Sequence, residues 1–324
     1  MSQLQSINWR PSTWRRARWF RPVPYRSWEM VAMRILFALV LLAAFPRRVP
    51  KAEAGKEVGL AHWVSLDWLA QPGVLDVCRW ILLVALMVYV GGRLMAFALP
   101  VVAFLTIAPA TLANSQGADH HHLQVLGLAV LVQVAWIGWR AVRRGEWWAP
   151  GRRTQVLNVF YTQQVIVATY LTTALWKLWK TQFGWIRESK YFPVQLVKTR
   201  DAHYYNKLEH GGGDSSGWSA GIDAWFAKVT PQLETFLFAH PNLCRLVIGS
   251  GLLLELFAFL ALIGRKSRVF YGGLLVMFHL IIGRVMNLNF EYNIYLLLIF
   301  FVNLPWLGML VWRKVRRRVA GNES

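Results

Sequence analysis

From Tyr292 to Trp312 the chain carries no charged side chain. At about 1.5 Å of rise per helical residue, a run of that length crosses a hydrocarbon core of about 30 Å. Charge is scarce elsewhere too: Asp, Glu, Lys and Arg make up 16% of the 324 residues, against roughly 25% in soluble domains. A water-soluble globule, a disordered chain and a collagen-like repeat are thereby excluded. The formal net charge of +20 would suit nucleic acid if the basic residues shared one face or one tail. They lie instead between apolar blocks, so the partner they imply is membrane lipid, with no nucleic acid.

Apolar runs near 28–45, 74–90, 94–115, 121–142, 155–180, 241–263, 268–286 and 288–312 predict eight spans. The expected fold is an all-α integral membrane protein, a bundle of about eight transmembrane helices with one long outer loop. A basic arm at 1–27 precedes the transmembrane domain at 28–313, and a basic tail at 314–324 follows it. The third run contains Pro100 and Pro109, tolerated where neighbouring helices satisfy the freed carbonyls. With the N-terminus inside, twenty Lys and Arg fall on the inner side, eleven outside and five within spans, Arg34 among the last. That bias places both termini in the cytoplasm and the protein in the plasma (inner) membrane. Ala52-Glu53-Ala54 has the form of a signal-cleavage site, but Arg47, Arg48 and Lys51 intervene, so the first span is expected to be retained.

The outer loop, 181–240, contains His210-Gly211-Gly212-Gly213-Asp214, a turn signal. After it, Trp218, Ile222, Trp225, Phe226, Val229, Leu233 and Phe236 recur at helical spacing, which predicts an interfacial helix broken at Pro231. Cys78 and Cys244 fall near outer span ends, where a disulfide would persist. Two buried thiols filling helix contacts is the favoured reading, and no metal-ligand cysteine spacing occurs.

An ionisable side chain within hydrocarbon is costly and marks a functional hypothesis. Gln163, Tyr170, Thr173 and Lys177 share one face of the fifth span. Lys177 either snorkels to the headgroups or enters a shared pocket as a base, which requires it to give up its proton. Asn114 to His122 and the set His279, Asn287, Asn289, Glu291 and Asn293 are expected at the same outer leaflet. His120, His121 and His122 point three ways on a helix, so a solvated helix start is favoured over a metal site, and no metal is expected. His279 is either a neutral bridge between helices or a catalytic group, with Gly272 and Gly283 on its face allowing close approach. Glu255, mid-span, must be protonated or paired, with His279 or Arg79 as expected partners. Asp76 and Arg79, three residues apart, are expected to pair with each other. No nucleotide-binding glycine motif or nucleophilic Ser or Cys setting appears.

The segment from Gln164 through Tyr170 to Lys177-Leu178, followed by Trp185, resembles the helix of vitamin K-dependent γ-carboxylases that carries their catalytic lysine. Gly249-Ser250-Gly251-Leu252-Leu253-Leu254-Glu255-Leu256, then Phe278-His279, Met286-Asn287 and Phe290, agree in order with that family, and Asn114 to His122 is similar to its polar Asn/His segment. The similarity covers most of 28–312 and extends to bacterial proteins with the horizontally transferred transmembrane (HTTM) domain. The resemblance implies that Lys177 deprotonates a reduced quinone of the vitamin K or menaquinone type. It assigns His122, or a neighbouring histidine, as a tuning partner, and His279 with Glu255 as supports. Tyr170, Thr173, Asn287 and Glu291 are the expected cofactor-binding residues, with Glu255, Arg79 and Asp76 as structural polar residues. The carboxylases carry a large lumenal β-rich portion after the bundle, whereas this sequence ends at Ser324, so a smaller substrate, a partner protein or loss of the chemistry is expected. Two functions follow: a quinol-dependent enzyme of carboxylation or oxygenation chemistry, or a non-catalytic maturation factor engaging a secreted peptide or protein at the outer face. Without a convincing internal repeat, a transporter ranks third.

Overall fold

The computed structural model describes residues 22–47, 63–115, 121–209, 218–286, 288 and 290–322, and these contain helices and no strand. In chain order the helices are α1 (Ser27–Ala44), α2 (Val74–Gly91), α3 (Met95–Ser115), α4 (His121–Arg144), α5 (Arg152–Thr181) and α6 (Gly184–Arg187). There follow α7 (Phe192–Glu209), α8 (Trp218–Ala239), α9 (Pro241–Leu256), α10 (Arg265–Met286), α11 (Glu291–Leu297) and α12 (Leu304–Asn322). Helices α1 to α4 are long and apolar enough to cross a membrane, and two bent pairs raise the number to six if each is one span. Of the eight expected spans, length and composition support four to six. The predicted fifth and seventh runs form α5 and α10, whose polar side chains keep them out of that set. The predicted sixth run breaks after Leu256 into a 3-10 segment, Ala258–Leu262. The predicted eighth becomes α11, a π segment at Leu298–Val302, and α12.

Burial and backbone hydrogen bonding explain both the continuity and the breaks. Helix α3 runs through Pro100 and Pro109. Helix α8 likewise runs through Pro231, so the predicted break there does not occur, and a helix not expected from the sequence, α7, packs beside it. Asn303, at φ 53°, ends the π segment in the left-handed region, and its side chain caps the Trp306 amide at 3.3 Å. The π segment is gripped from α5: the Gln163 amide donates to the Phe300 carbonyl and, at 2.8 Å, to the Tyr25 hydroxyl. Arg268 donates to the same hydroxyl at 2.6 Å. Glu29 accepts from Arg265 and, at 3.1 Å, from Asn303. Glu29, Gln163, Arg268 and Asn303 are all buried, so this polar cluster fastens α1, α5, α10 and α12 where apolar packing alone would let them slide. Both cysteines are buried thiols, Cys78 in the main core and Cys244 in a smaller cluster with Leu196, Leu237 and Val285.

Between α4 and α5, Glu146 pairs with Arg140 and accepts the Gly151 amide at 3.3 Å. Burial pushes its carboxyl up. Hydrogen bonds from Thr154, Arg140 and Gly151, with the Arg140 charge, outweigh that and hold it below its ordinary value. A depressed folded value means that the stabilisation is complete above the unfolded carboxylate pKa, about 4.3, and is lost as pH falls through the folded value. Glu146→Gln is therefore expected to lower the unfolding midpoint at neutral pH, to leave it nearly unchanged in acid, and so to weaken its acid-induced fall. An unchanged acid profile would remove this loop from the pH response.

Candidate functional site

The site forms where α5 finishes, which is the outer end in the orientation that charge predicts. Gln182 and Phe183 take left-handed conformations (φ 47° and 63°) and reverse the chain after α5. Thr181 fixes the reversal: its hydroxyl donates to the Lys177 carbonyl at 2.6 Å and accepts the Trp185 amide at 3.0 Å. This turn lays Trp185 over Lys177, with Nζ 5.2 Å from the ring centroid. Lys177 Nζ donates to Glu255 Oε2 at 2.7 Å. The lysine side chain is 25% exposed and the glutamate 7%, so the carboxylate lies inside and the ammonium forms its outer cover.

Glu255 thus pairs with neither His279 nor Arg79, the partners expected from the sequence. One buried carboxylate and one intramembrane cation, singled out separately, satisfy each other. The Lys177 amine is directed onto Glu255. The ion pair changes the chemistry available. The amine and the carboxylate share one short hydrogen bond, so a proton can pass between them. Lys177 becomes a base only after passing its own proton on.

Two turns before Lys177, the Tyr170 hydroxyl meets His279 Nε2 at 2.8 Å, joining α5 to α10. Tyr170 and His279 are 5% and 3% exposed. The imidazole packs on Phe290 with ring centroids 4.7 Å apart, and Asn293 of α11 interacts with the same phenol. Among the described residues, His279 Nδ1 and Asn293 Oδ1 have no hydrogen-bond partner. Gly251 lets α9 approach α10 here: a Cβ at that position would lie 2.2 Å from the Phe278 ring. Tyr170→Phe leaves His279 Nε2 buried without its partner and is expected to cost about 1–3 kcal/mol, read as a lower unfolding midpoint in detergent. A midpoint equal to the parent's would show that His279 needs no bridge.

The other expected residues divide. Thr173 is exposed and stands outside the cluster. Gln163 shares the Lys177 face, but fourteen residues of helix separate them by about 21 Å, and it serves the Tyr25 cluster instead. Asp76 and Arg79 form no ion pair with each other; both are on α2, Asp76 exposed and Arg79 partly so. Glu291 is exposed in the first turn of α11. Asn287, Asn289 and His120 lie outside the described residues, as do the side chains of His121 and His122. One apolar groove, about 870 Å³, is lined by Trp68, Val77, Ile81, Pro100 and Phe104 and contains none of the expected site residues. Tyr25, Glu29 and Arg268 went unremarked in the sequence because each finds its partner on a distant helix. Gln133 and Asn158, polar residues inside apolar runs, were the signal for a second buried cluster described below.

Comparison with known proteins adds no neighbour: no family model, curated protein or solved structure matches the chain. Fold and geometry together define a class, a helical membrane protein with an ion pair and a phenol–imidazole pair buried at one end of its bundle.

Proposed function

We propose that the protein is a membrane-embedded enzyme acting on a reduced quinone of the vitamin K or menaquinone type, with the Lys177–Glu255 pair as its base. The observation that carries this reading is the 2.7 Å contact between Lys177 and Glu255, close to a buried Tyr170–His279 pair on the same helix face. The residues fit the polar end of such a molecule. His279 Nδ1 and Asn293 Oδ1, both buried and unpartnered, can bind one hydroxyl, the imidazole and the amide oxygen each taking the role that the hydroxyl leaves open. When bound, the quinol supplies reducing electrons and an acidic phenol. Glu255 takes the proton, Lys177 holds the charge of the carboxylate until then and stabilises the developing phenolate, and Trp185 restricts water. With molecular oxygen as the oxidant of the deprotonated quinol, oxygenation would follow, and with carbon dioxide and a carbon acid deprotonated in turn, carboxylation.

The test is protein purified in detergent with reduced menaquinone and, separately, reduced vitamin K under oxygen, assayed for loss of quinol and for epoxide. Turnover is expected in the parent and a fall of about 100-fold or more in Lys177→Ala and Glu255→Gln. No turnover, or parent-like turnover in both variants, overturns the reading. The second reading, a maturation factor that engages a secreted peptide or protein at the outer face, draws on the fastening of α7 to α8 by Arg200 and Glu234 at 2.6 Å. Loss of a biological phenotype on deleting Gly211 to Gly221, with Lys177→Ala tolerated, would favour it.

A further inference from the structure

At the opposite end of the bundle from Lys177, a second polar cluster joins four helices. Arg34 of α1 donates to Gln155 Oε1 of α5 at 3.1 Å. Gln133 of α4 accepts through Oε1 both the Tyr89 hydroxyl of α2 and the Asn158 amide of α5, each at 2.9 Å. These five side chains, with Met30, Met33, Val159 and Phe300, line a partly closed cavity of about 20 Å³, room for one water-sized or slightly larger particle. Gly92, at φ 72°, brings the α2–α3 turn against the Arg34 guanidinium, where a Cβ would lie 2.9 Å from Nη1. The cation is thereby held at the cavity.

The unused hydrogen-bonding groups there are rich in donors. Arg34 Nε and Gln133 Nε2 have no acceptor, and Asn158 Oδ1 is the single unused acceptor. Gln133 and Asn158 are 1% and 6% exposed, so neither can turn to solvent. No ion pair to Arg34 occurs among the described residues. Glu29, on the same helix, is engaged by Arg265 and Asn303. A guanidinium stays charged at any accessible pH, and a charge facing a low-dielectric cavity without a counter-ion is costly. A water in the cavity would answer the unused donors but not the charge.

We propose that this cavity is a binding site for a single halide-sized inorganic anion, held by Arg34 and the Gln133 amide. The anion ties α1, α2, α4 and α5 together and makes the stability of this end of the bundle depend on its concentration. The size of the cavity excludes carboxylate- and phosphate-bearing ligands, which separates this site from the quinol site at the other end.

The test uses the full-length protein in detergent, with chloride as probe against gluconate at equal ionic strength. Chloride is expected to raise the unfolding midpoint by several degrees in a saturable way. Arg34→Gln should abolish the dependence. Should that variant fail to fold, Asn158→Asp provides an independent arm: a carboxylate placed in the cavity becomes the counter-ion for Arg34, so stability is retained in gluconate and chloride no longer adds to it. A crystal grown in bromide should show an anomalous peak beside Arg34 Nε. A chloride-independent parent, a dependence that persists in Asn158→Asp, or a bromide-free cavity holding only water each overturns the proposal.

Discussion

Lys177→Met, with Glu255 intact, is expected to destabilise the protein by about 3 kcal/mol, the lower end of the cost of stranding one member of a buried ion pair. The asymmetry of burial sets the sign of the comparison with the reverse change. Glu255 is 7% exposed and Lys177 is 25% exposed, so a stranded carboxylate cannot reach water whereas a stranded ammonium can swing outward along its flexible stem. Glu255→Leu should therefore cost less than Lys177→Met, and the double variant should recover much of the loss, because two apolar side chains leave no unpaired charge. Unfolding in detergent, analysed as a double-mutant cycle, measures the coupling. A Lys177→Met variant as stable as its parent would show that the pair carries no weight. Lys177→Arg separates the two roles: the pair and the stability should survive, and because Glu255 takes the proton, turnover should survive with them; loss of turnover would move the base to residue 177, since a guanidinium cannot surrender its proton.

Gly272→Ala is expected to destabilise by about 2 kcal/mol, whereas Gly273→Ala, its neighbour on α10, should be neutral or stabilising. A Cβ at Gly272 would lie 2.7 Å from Phe301 Cβ and 3.4 Å from the Val302 backbone nitrogen, both in the π segment. Phe301 is 2% exposed, so the overlap can be relieved only by moving α10 away from the segment that Gln163 and Asn303 hold in place. At Gly273 a Cβ meets nothing within 4 Å, and alanine is the better helix former by up to about 1 kcal/mol. Gly251→Ala falls between them, since its obstacle is the far edge of the Phe278 ring, which can turn. Midpoints of thermal unfolding in detergent for the three variants give the order directly; equal effects at 272 and 273 would mean that α10 and the π segment are not in tight contact.

What the sequence determined by itself was set by composition and period. Apolar runs of membrane length, such as those that became α1 to α4, can be satisfied only as helices in lipid, because every backbone polar group must then bond within its own segment. The common face of Tyr170 and Lys177 follows from helical geometry alone, and the apolar runs around Glu255, His279 and Arg34 mark each as a polar group in need of a partner. Partnership does not. The sequence offers Glu255 either His279 or Arg79, and the pairing with Lys177 instead rests on where α9 crosses α5 and on the Thr181 turn that closes Trp185 over the amine. The same holds for Gln163, which shares a face with Lys177 yet works about 21 Å away, and for the break of the last apolar run at Asn303. An ion pair or a buried amide is a contact between elements far apart in the chain, and its energy depends on a crossing that no local pattern encodes; only the packed bundle decided which of the polar side chains meet.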